Sequence, residues 1–184
     1  LEGWGRALEL RDFETKGHSQ RVERLAVALA QQLGCDPEEV RQIRRGAYLH
    51  DIGKIAIRDE ILFKPGELSS NEWDELKRHP QLGREMIANI PFLRPTQDII
   101  FSHHERWDGQ GYPAGLRGED IPLWARIFIL VDHWDALNSD RPYRKAWPRE
   151  KIIRYFKDNA GVIFDPALVP VFLELVEAEQ SSTE

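Results

Sequence analysis

Residues 22–39 read Val22-Glu23-Arg24-Leu25-Ala26-Val27-Ala28-Leu29-Ala30-Gln31-Gln32-Leu33-Gly34-Cys35-Asp36-Pro37-Glu38-Glu39, and this stretch decides the fold class. Val22, Leu25, Ala26, Leu29, Ala30 and Leu33 recur at the three- and four-residue spacing of a single helix face. Gly34 supplies a stop, because glycine tolerates the left-handed backbone in which helices commonly end. Asp36-Pro37-Glu38-Glu39 is then a start signal. Its carboxylate serves as N-cap, its proline takes the first helical position, and a glutamate follows three residues after the cap. One helix closes and another opens across a turn of a few residues.

The pattern extends outward. Val40, Ile43 and Ala47 carry the second helix towards His50. Ser69 with Glu72 forms another capping box. Pro122 opens a helix through Leu123–Leu137, Pro148 one through Phe156, and Asp165-Pro166 the last. Few stretches alternate with period two, so no sheet is expected. The reading is an all-α, single-domain helical bundle. Glycine and proline gather at Lys64-Pro65-Gly66 and again in Trp107–Gly118, which holds four Gly and one Pro in twelve residues. A turn-rich loop of that length between helices is a place where function is carried.

Bulk properties narrow the classes. A chain of 184 residues, 41% apolar and 30% charged, is the size and composition of one soluble domain with its own core. No apolar run reaches the roughly 18 residues of a membrane span, and no signal peptide is visible. The net charge of −6 argues against binding a nucleic-acid polymer, although a local cationic cluster can still hold a small anion. Cys35 is the single cysteine, which excludes an internal disulfide framework and fits a reducing, cytoplasmic compartment. It reads as a packing residue. Residue 1 is Leu, so the chain is expected to be a piece of a longer protein. Residues 1–10 would end a coupling helix from an upstream domain, 11–178 would form the functional domain, and 179–184 a disordered tail.

The six histidines are His18, His50, His79, His103, His104 and His133. A lone histidine on a helix is most often packed or solvated, but several of these stand beside carboxylates. Asp51 follows His50, and Glu105 follows His103-His104. Asp132 sits within the apolar run Ile127-Phe128-Ile129-Leu130-Val131, where an unpaired carboxylate is costly. Imidazole and carboxylate without thiolate suit Mn, Fe or Zn. Neighbouring helical residues point about 100° apart, so His103 and His104 are expected to serve two ions rather than one. Glu14 and His18, four apart, are expected to share a helix face.

These residues resemble the HD-GYP family, a branch of the HD phosphohydrolases. The resemblance rests on Arg11–His18, on Leu49-His50-Asp51-Ile52-Gly53-Lys54, on Lys64-Pro65-Gly66 and on His79-Pro80. It continues through His103–Pro113, Asp132, Asp135-Ala136-Leu137, Asp140–Arg144 and Phe164-Asp165-Pro166, so it covers nearly the whole chain. It implies an HD-type helical bundle that hydrolyses cyclic di-GMP through linear pGpG, often on to GMP, while some members prefer a mixed cyclic GMP-AMP. It implies metal ligands at His18, His50, Asp51, His79, His103, His104 and Asp132. Members with a glutamate four residues before the first histidine hold three ions, typically iron or manganese, and Glu14 stands at that place. Others hold two.

In the same family Asp51 bridges the ions and Lys54 faces the scissile phosphate. Arg141 and Arg144 would hold the phosphate from another side, or else pair with Asp140 at the surface. Gly111 and Tyr112 belong to the signature loop, where Tyr112 either meets a guanine or packs to shape the loop. That loop has also been linked to GGDEF-type protein partners, and a homodimer is compatible with the pattern. His133 replaces an apolar residue and is expected to pack away from the site. The competing readings are a non-catalytic cyclic-dinucleotide sensor and a hydrolase of mononucleotides. No expected ligand is missing, which speaks against the first. The signature loop and Arg141-Pro142-Tyr143-Arg144 speak against the second.

Overall fold

In the computed structural model of the chain, Asp36 lies in extended backbone and its carboxylate accepts the Glu38 and Glu39 amides at 2.8 and 2.9 Å. Glu39 returns the bond, accepting the Asp36 N–H at 2.8 Å. The expected capping box is therefore formed, and so is the one at Ser69 and Glu72. Upstream, Gly34 takes a left-handed φ of 79°, and the Cys35 amide reaches back to the Ala30 carbonyl at 3.0 Å. The structure describes residues 2–11, 17–140 and 144–181. Glu14 and Arg141 lie outside the described residues.

The helices are α1 (Glu2–Arg11), α2 (His18–Gln32), α3 (Pro37–Leu49), α4 (Asp59–Leu62), α5 (Ser70–Leu76) and α6 (His79–Ile87). They are followed by α7 (Gln97–Ser102), α8 (Leu123–Asn138), α9 (Arg149–Asp158) and α10 (Leu168–Ser181). Short 3-10 turns at Ile52–Ala56 and Pro91–Thr96 join some of them. There is no strand among the described residues, only one isolated bridge between Ala160 and Phe164. No described helix is long and apolar enough to cross a membrane. Helix α10 runs to Ser181, so the first residues of the expected tail are helical, and 182–184 lie outside the described residues.

Helix α8 is the axis of the larger core. Ile127 through Val131 are all buried, which explains why its sequence is apolar on nearly every side. The α2 face predicted from spacing packs on it: Val22, Leu25, Ala26, Leu29 and Ala30 are buried in the same cluster. Phe156, Phe164, Phe172 and Trp134 close the far side, with Phe156 and Phe164 stacked at 4.6 Å. Each such side chain, fully buried, contributes about 1.5–3 kcal/mol by leaving water. A smaller core of Leu49, Ile52, Ile87, Leu93 and Ile100 lies under α3, α6 and α7. Cys35 packs half-buried against the larger core, as expected.

Candidate metal centre

The seam between the two cores gathers histidines and carboxylates, most of them at helix ends. His50 caps α3, and Asp51 leads the 3-10 turn that follows. His18 begins α2, His79 begins α6, and His103 caps α7. Asp132 alone comes from mid-helix, on α8. His50 and His103 rest against Phe128, with ring centroids 4.7 and 6.2 Å away, so the apolar axis is also the floor of the site.

The orientation of the rings follows from their hydrogen bonds. His50 Nδ1 lies 2.8 Å from the Ala47 carbonyl, and His79 Nδ1 2.8 Å from the Leu76 carbonyl. His103 Nδ1 lies 3.0 Å from the Ile100 carbonyl. A carbonyl only accepts, so these Nδ1 atoms carry the proton, and in the neutral ring Nε2 is left as a lone pair. Those lone pairs converge on Asp51. Its Oδ1 is 3.1 Å from His79 Nε2 and 3.6 Å from His103 Nε2, and its Oδ2 is 3.1 Å from His50 Nε2. The His79 and His103 Nε2 atoms are 3.2 Å apart. Asp51 Oδ1 is buried and receives no hydrogen bond. Acceptors facing acceptors in a dry site are unfavourable unless a cation sits among them. The donor set fits a divalent metal.

Two groups can each hold an ion: Asp51, His79, His103 and His104, and then His18, His50 and Asp132. Seven of the eight residues expected as ligands are thus brought together, and Glu14 is the one outside the described residues. Burial pushes the His103 and His104 imidazoles below their usual value, reinforced by the neighbouring rings, which favours the neutral, ligating form. Burial acts to raise the Asp51 carboxyl. The Lys54 ammonium, 2.7 Å from Oδ2, and the imidazoles outweigh it and hold the group well below the usual carboxylate range.

One expectation is corrected. His103 and His104 fall in the same group, with ring centroids 4.1 Å apart. Helix α7 ends at Ser102 and the chain turns at both histidines, so the 100° spacing of a continuing helix does not apply. Helix α2 begins at His18, so the helix face that Glu14 was expected to share is not among the described residues. Arg144 does not reach the cluster in its described contacts. Its guanidinium donates to the Ala136 carbonyl near the end of α8 and lies 5.7 Å from the Trp147 ring. Asp140 pairs with Lys145 at 2.7 Å. His133 packs away from the site as expected, edge-on to Phe164 and 3.3 Å from the Tyr155 hydroxyl.

The signature loop is built onto the site. Tyr112 stacks on His104 at 4.6 Å and 26°, and its amide donates to the His104 carbonyl at 3.2 Å. A Cβ on Gly111 would lie 2.4 Å from the Arg106 nitrogen, so only glycine lets the loop close there. Sequence reasoning noted Glu105 only as the neighbour of the histidine pair and gave it no role. Its buried carboxylate accepts the Ala114 and Leu116 amides at 2.7 and 3.0 Å, which pins the loop. A carboxylate directly after the histidine pair was the available signal.

Comparison with known families matches residues 5–168 to the HD domain. The chain belongs to the HD-domain family. The match agrees with the resemblance drawn from the motifs. The HD domain here is 45% identical over 175 residues to the cyclic di-GMP phosphodiesterase response regulator RpfG of Xanthomonas campestris pv. campestris, covering 94% of this chain and 46% of that protein. It is 39% identical to the 3'3'-cGAMP-specific phosphodiesterase 2 of Vibrio cholerae, covering 91% of this chain and 33% of that one. The chain therefore spans less than half the length of these curated relatives. Among solved structures it is similar in fold to Bd1817, an HDG"Y"P protein of Bdellovibrio bacteriovorus, with a TM-score of 0.69 at 24% identity over 87% of this chain and 51% of that one.

Proposed function

We propose that this chain is a metal-dependent, cytoplasmic phosphodiesterase domain whose substrate is cyclic di-GMP. The observation that carries the reading is the buried convergence of imidazole lone pairs on the Asp51 carboxylate, which a bound divalent cation would balance. The name of the X. campestris relative supports the substrate. Asp51, His79, His103 and His104 would hold one ion and His18, His50 and Asp132 a second, while Glu14 is kept as the ligand of a third. Ligands of nitrogen and oxygen without thiolate suit iron or manganese. When bound, such ions make water nucleophilic near neutral pH and neutralise charge on the phosphate.

Hydrolysis adds water across one P–O3′ bond. The water oxygen becomes bonded to phosphorus, the P–O3′ bond breaks, and a proton goes to O3′, giving pGpG. A second round gives GMP. Lys54 keeps Asp51 ionised and sets a cation beside the phosphate. Gly111 and Tyr112 shape the substrate side of His104, with the Tyr112 ring as an aromatic wall for a guanine. Arg141 and Arg144 are kept as the proposed phosphate contacts, Arg144 with one guanidinium nitrogen given to the Ala136 carbonyl. The exposed loop tip at Pro113, Ala114 and Gly115 is the surface we assign to a GGDEF-type partner, and α1, where Trp4 is 50% exposed, to a homodimer.

A second reading, hydrolysis of 3'3'-cGAMP, is favoured by the V. cholerae relative. Incubating the Mn- or Fe-loaded protein with cyclic di-GMP, 3'3'-cGAMP, pGpG and mononucleotides, and separating the products, tests both. Cyclic di-GMP consumed fastest with pGpG appearing first supports the main reading. Faster turnover of 3'3'-cGAMP moves the assignment to the second. Attack on mononucleotides alone, or no turnover at all, overturns both.

A further inference from the structure

Helices α2 and α8 face each other with a repeated spacing. His18 and Asp132, both in the three-residue group, are followed three positions later by Arg21 and Asp135, one helical turn along each helix. Asp135 is buried, 6% exposed. Its Oδ2 is 2.7 Å from His18 Nδ1, while Arg21 spans both carboxylate oxygens, with Nη2 2.9 Å from Oδ2. The carboxylate accepts, so His18 Nδ1 carries the proton and Nε2 is turned to the group, 3.6 Å from Asp132 Oδ1.

The two groups are supported differently. In the four-residue group, His79 and His103 are oriented by backbone carbonyls three residues back, as His50 is in the three-residue group. In the three-residue group, His18 is oriented by a side chain from another helix, 117 residues away in sequence. Asp132 there is also partly open to solvent, its side chain 22% exposed. A ligand aimed by a neighbouring carboxylate loses that aim when the carboxylate goes, and losses of this kind weaken metal binding by roughly ten- to a hundredfold.

We propose that Asp135, locked by the Arg21 fork, is a positioning residue that fixes the tautomer and direction of His18 and so governs occupancy of the His18–His50–Asp132 group alone. The inference rests on the metal-dependent reading above. Asp135→Ala should leave the first equivalent of metal unchanged and weaken the second at least tenfold. Asp135→Asn keeps an acceptor for His18 Nδ1–H but not the charge, so its loss should be smaller. Arg21 grips Asp135 and also reaches Ser139 Oγ at 3.4 Å, so Arg21→Ala should also weaken the second equivalent, and adding it to Asp135→Ala should cost less than the sum of the two single effects.

The experiment is calorimetric titration of the apo-protein and these variants with Mn2+, with helical circular dichroism as the check on folding. Two unaltered binding events in Asp135→Ala, or the loss of both together, overturns the proposal. If Asp135→Ala does not fold, Asp135→Asn and Arg21→Ala decide it, and an unchanged second event in both overturns it. Absence of metal binding in the parent protein would instead overturn the proposed function, so the two failures are told apart.

Discussion

Gly53 lies where the 3-10 turn after the His50-Asp51 pair crosses the start of α6, and Gly53→Ala tests how the metal centre is held together. A Cβ there would sit 1.9 Å from the His79 carbonyl oxygen and 2.5 Å from the Gly83 nitrogen. Contacts below 3.0 Å are essentially never seen for a real Cβ, and both neighbours are backbone, so no side chain can swing aside. Helix α6 must retreat by about an ångström. The same face of α6 is tight at Gly83, where a Cβ would meet Ile100 Cγ2 at 2.8 Å and Gly53 N at 3.2 Å. Overpacking of this kind costs about 1–3 kcal/mol, and a protein of this size loses roughly 2–4 °C per kcal/mol, so Tm should fall by about 2–12 °C. The functional loss should be larger. His79 rides on the displaced helix end, and its Nε2 now lies 3.1 Å from Asp51 Oδ1. A misplacement of about 1 Å in a catalytic constellation costs on the order of a hundredfold in rate. The assay is differential scanning fluorimetry with and without Mn2+, together with metal content and turnover of cyclic di-GMP. Gly3→Ala, whose Cβ meets nothing within 4 Å, is the control and should behave as the parent. Parent-like Tm and metal content in Gly53→Ala would refute the close-contact argument.

Asp51→Asn should keep the helical fold and abolish turnover, because a neutral amide is a poor metal ligand; hydrolysis persisting in the metal-loaded variant removes Asp51 from the mechanism. Glu105→Gln places an amide N–H against one of the two loop amides that Glu105 now accepts. Leaving such a group unsatisfied costs about 1–3 kcal/mol, so hydrogen exchange across residues 106–118 should accelerate while α2 and α8 stay protected. Unchanged exchange in the loop counts against the clamp. Glu72 has its carboxyl lowered to about 2 by the Lys64 ammonium, then by the Ser69 amide and hydroxyl. A depressed folded value means that this contribution is complete above the ordinary glutamate range, near 4.5, and is lost as pH falls towards 2. Denaturant titrations should therefore show a shallower acid limb for Glu72→Ala than for the parent between those values, and identical limbs would exclude a capping contribution there.

Much of this protein was legible in one dimension because its signals are local. The apolar spacing from Val22 to Leu33, the stop at Gly34 and the capping boxes at Asp36 and Ser69 each act within a few residues, and the structure forms all of them. The candidate ligands were legible for a related reason: imidazole and carboxylate side by side without thiolate suit metal binding. How the ligands divide into groups was not legible. His103 and His104 share one group because α7 ends just before them, and where a short helix stops depends on what it packs against. Nor could spacing disclose that Gly53 must admit the His79 carbonyl, that Glu105 holds amides nine and eleven residues on, or that Asp135 aims His18 from another helix. Those are contacts between segments far apart in the chain or across an irregular loop. Their geometry is set by how helices pack, and packing depends on the shapes of many side chains at once, which no local pattern records.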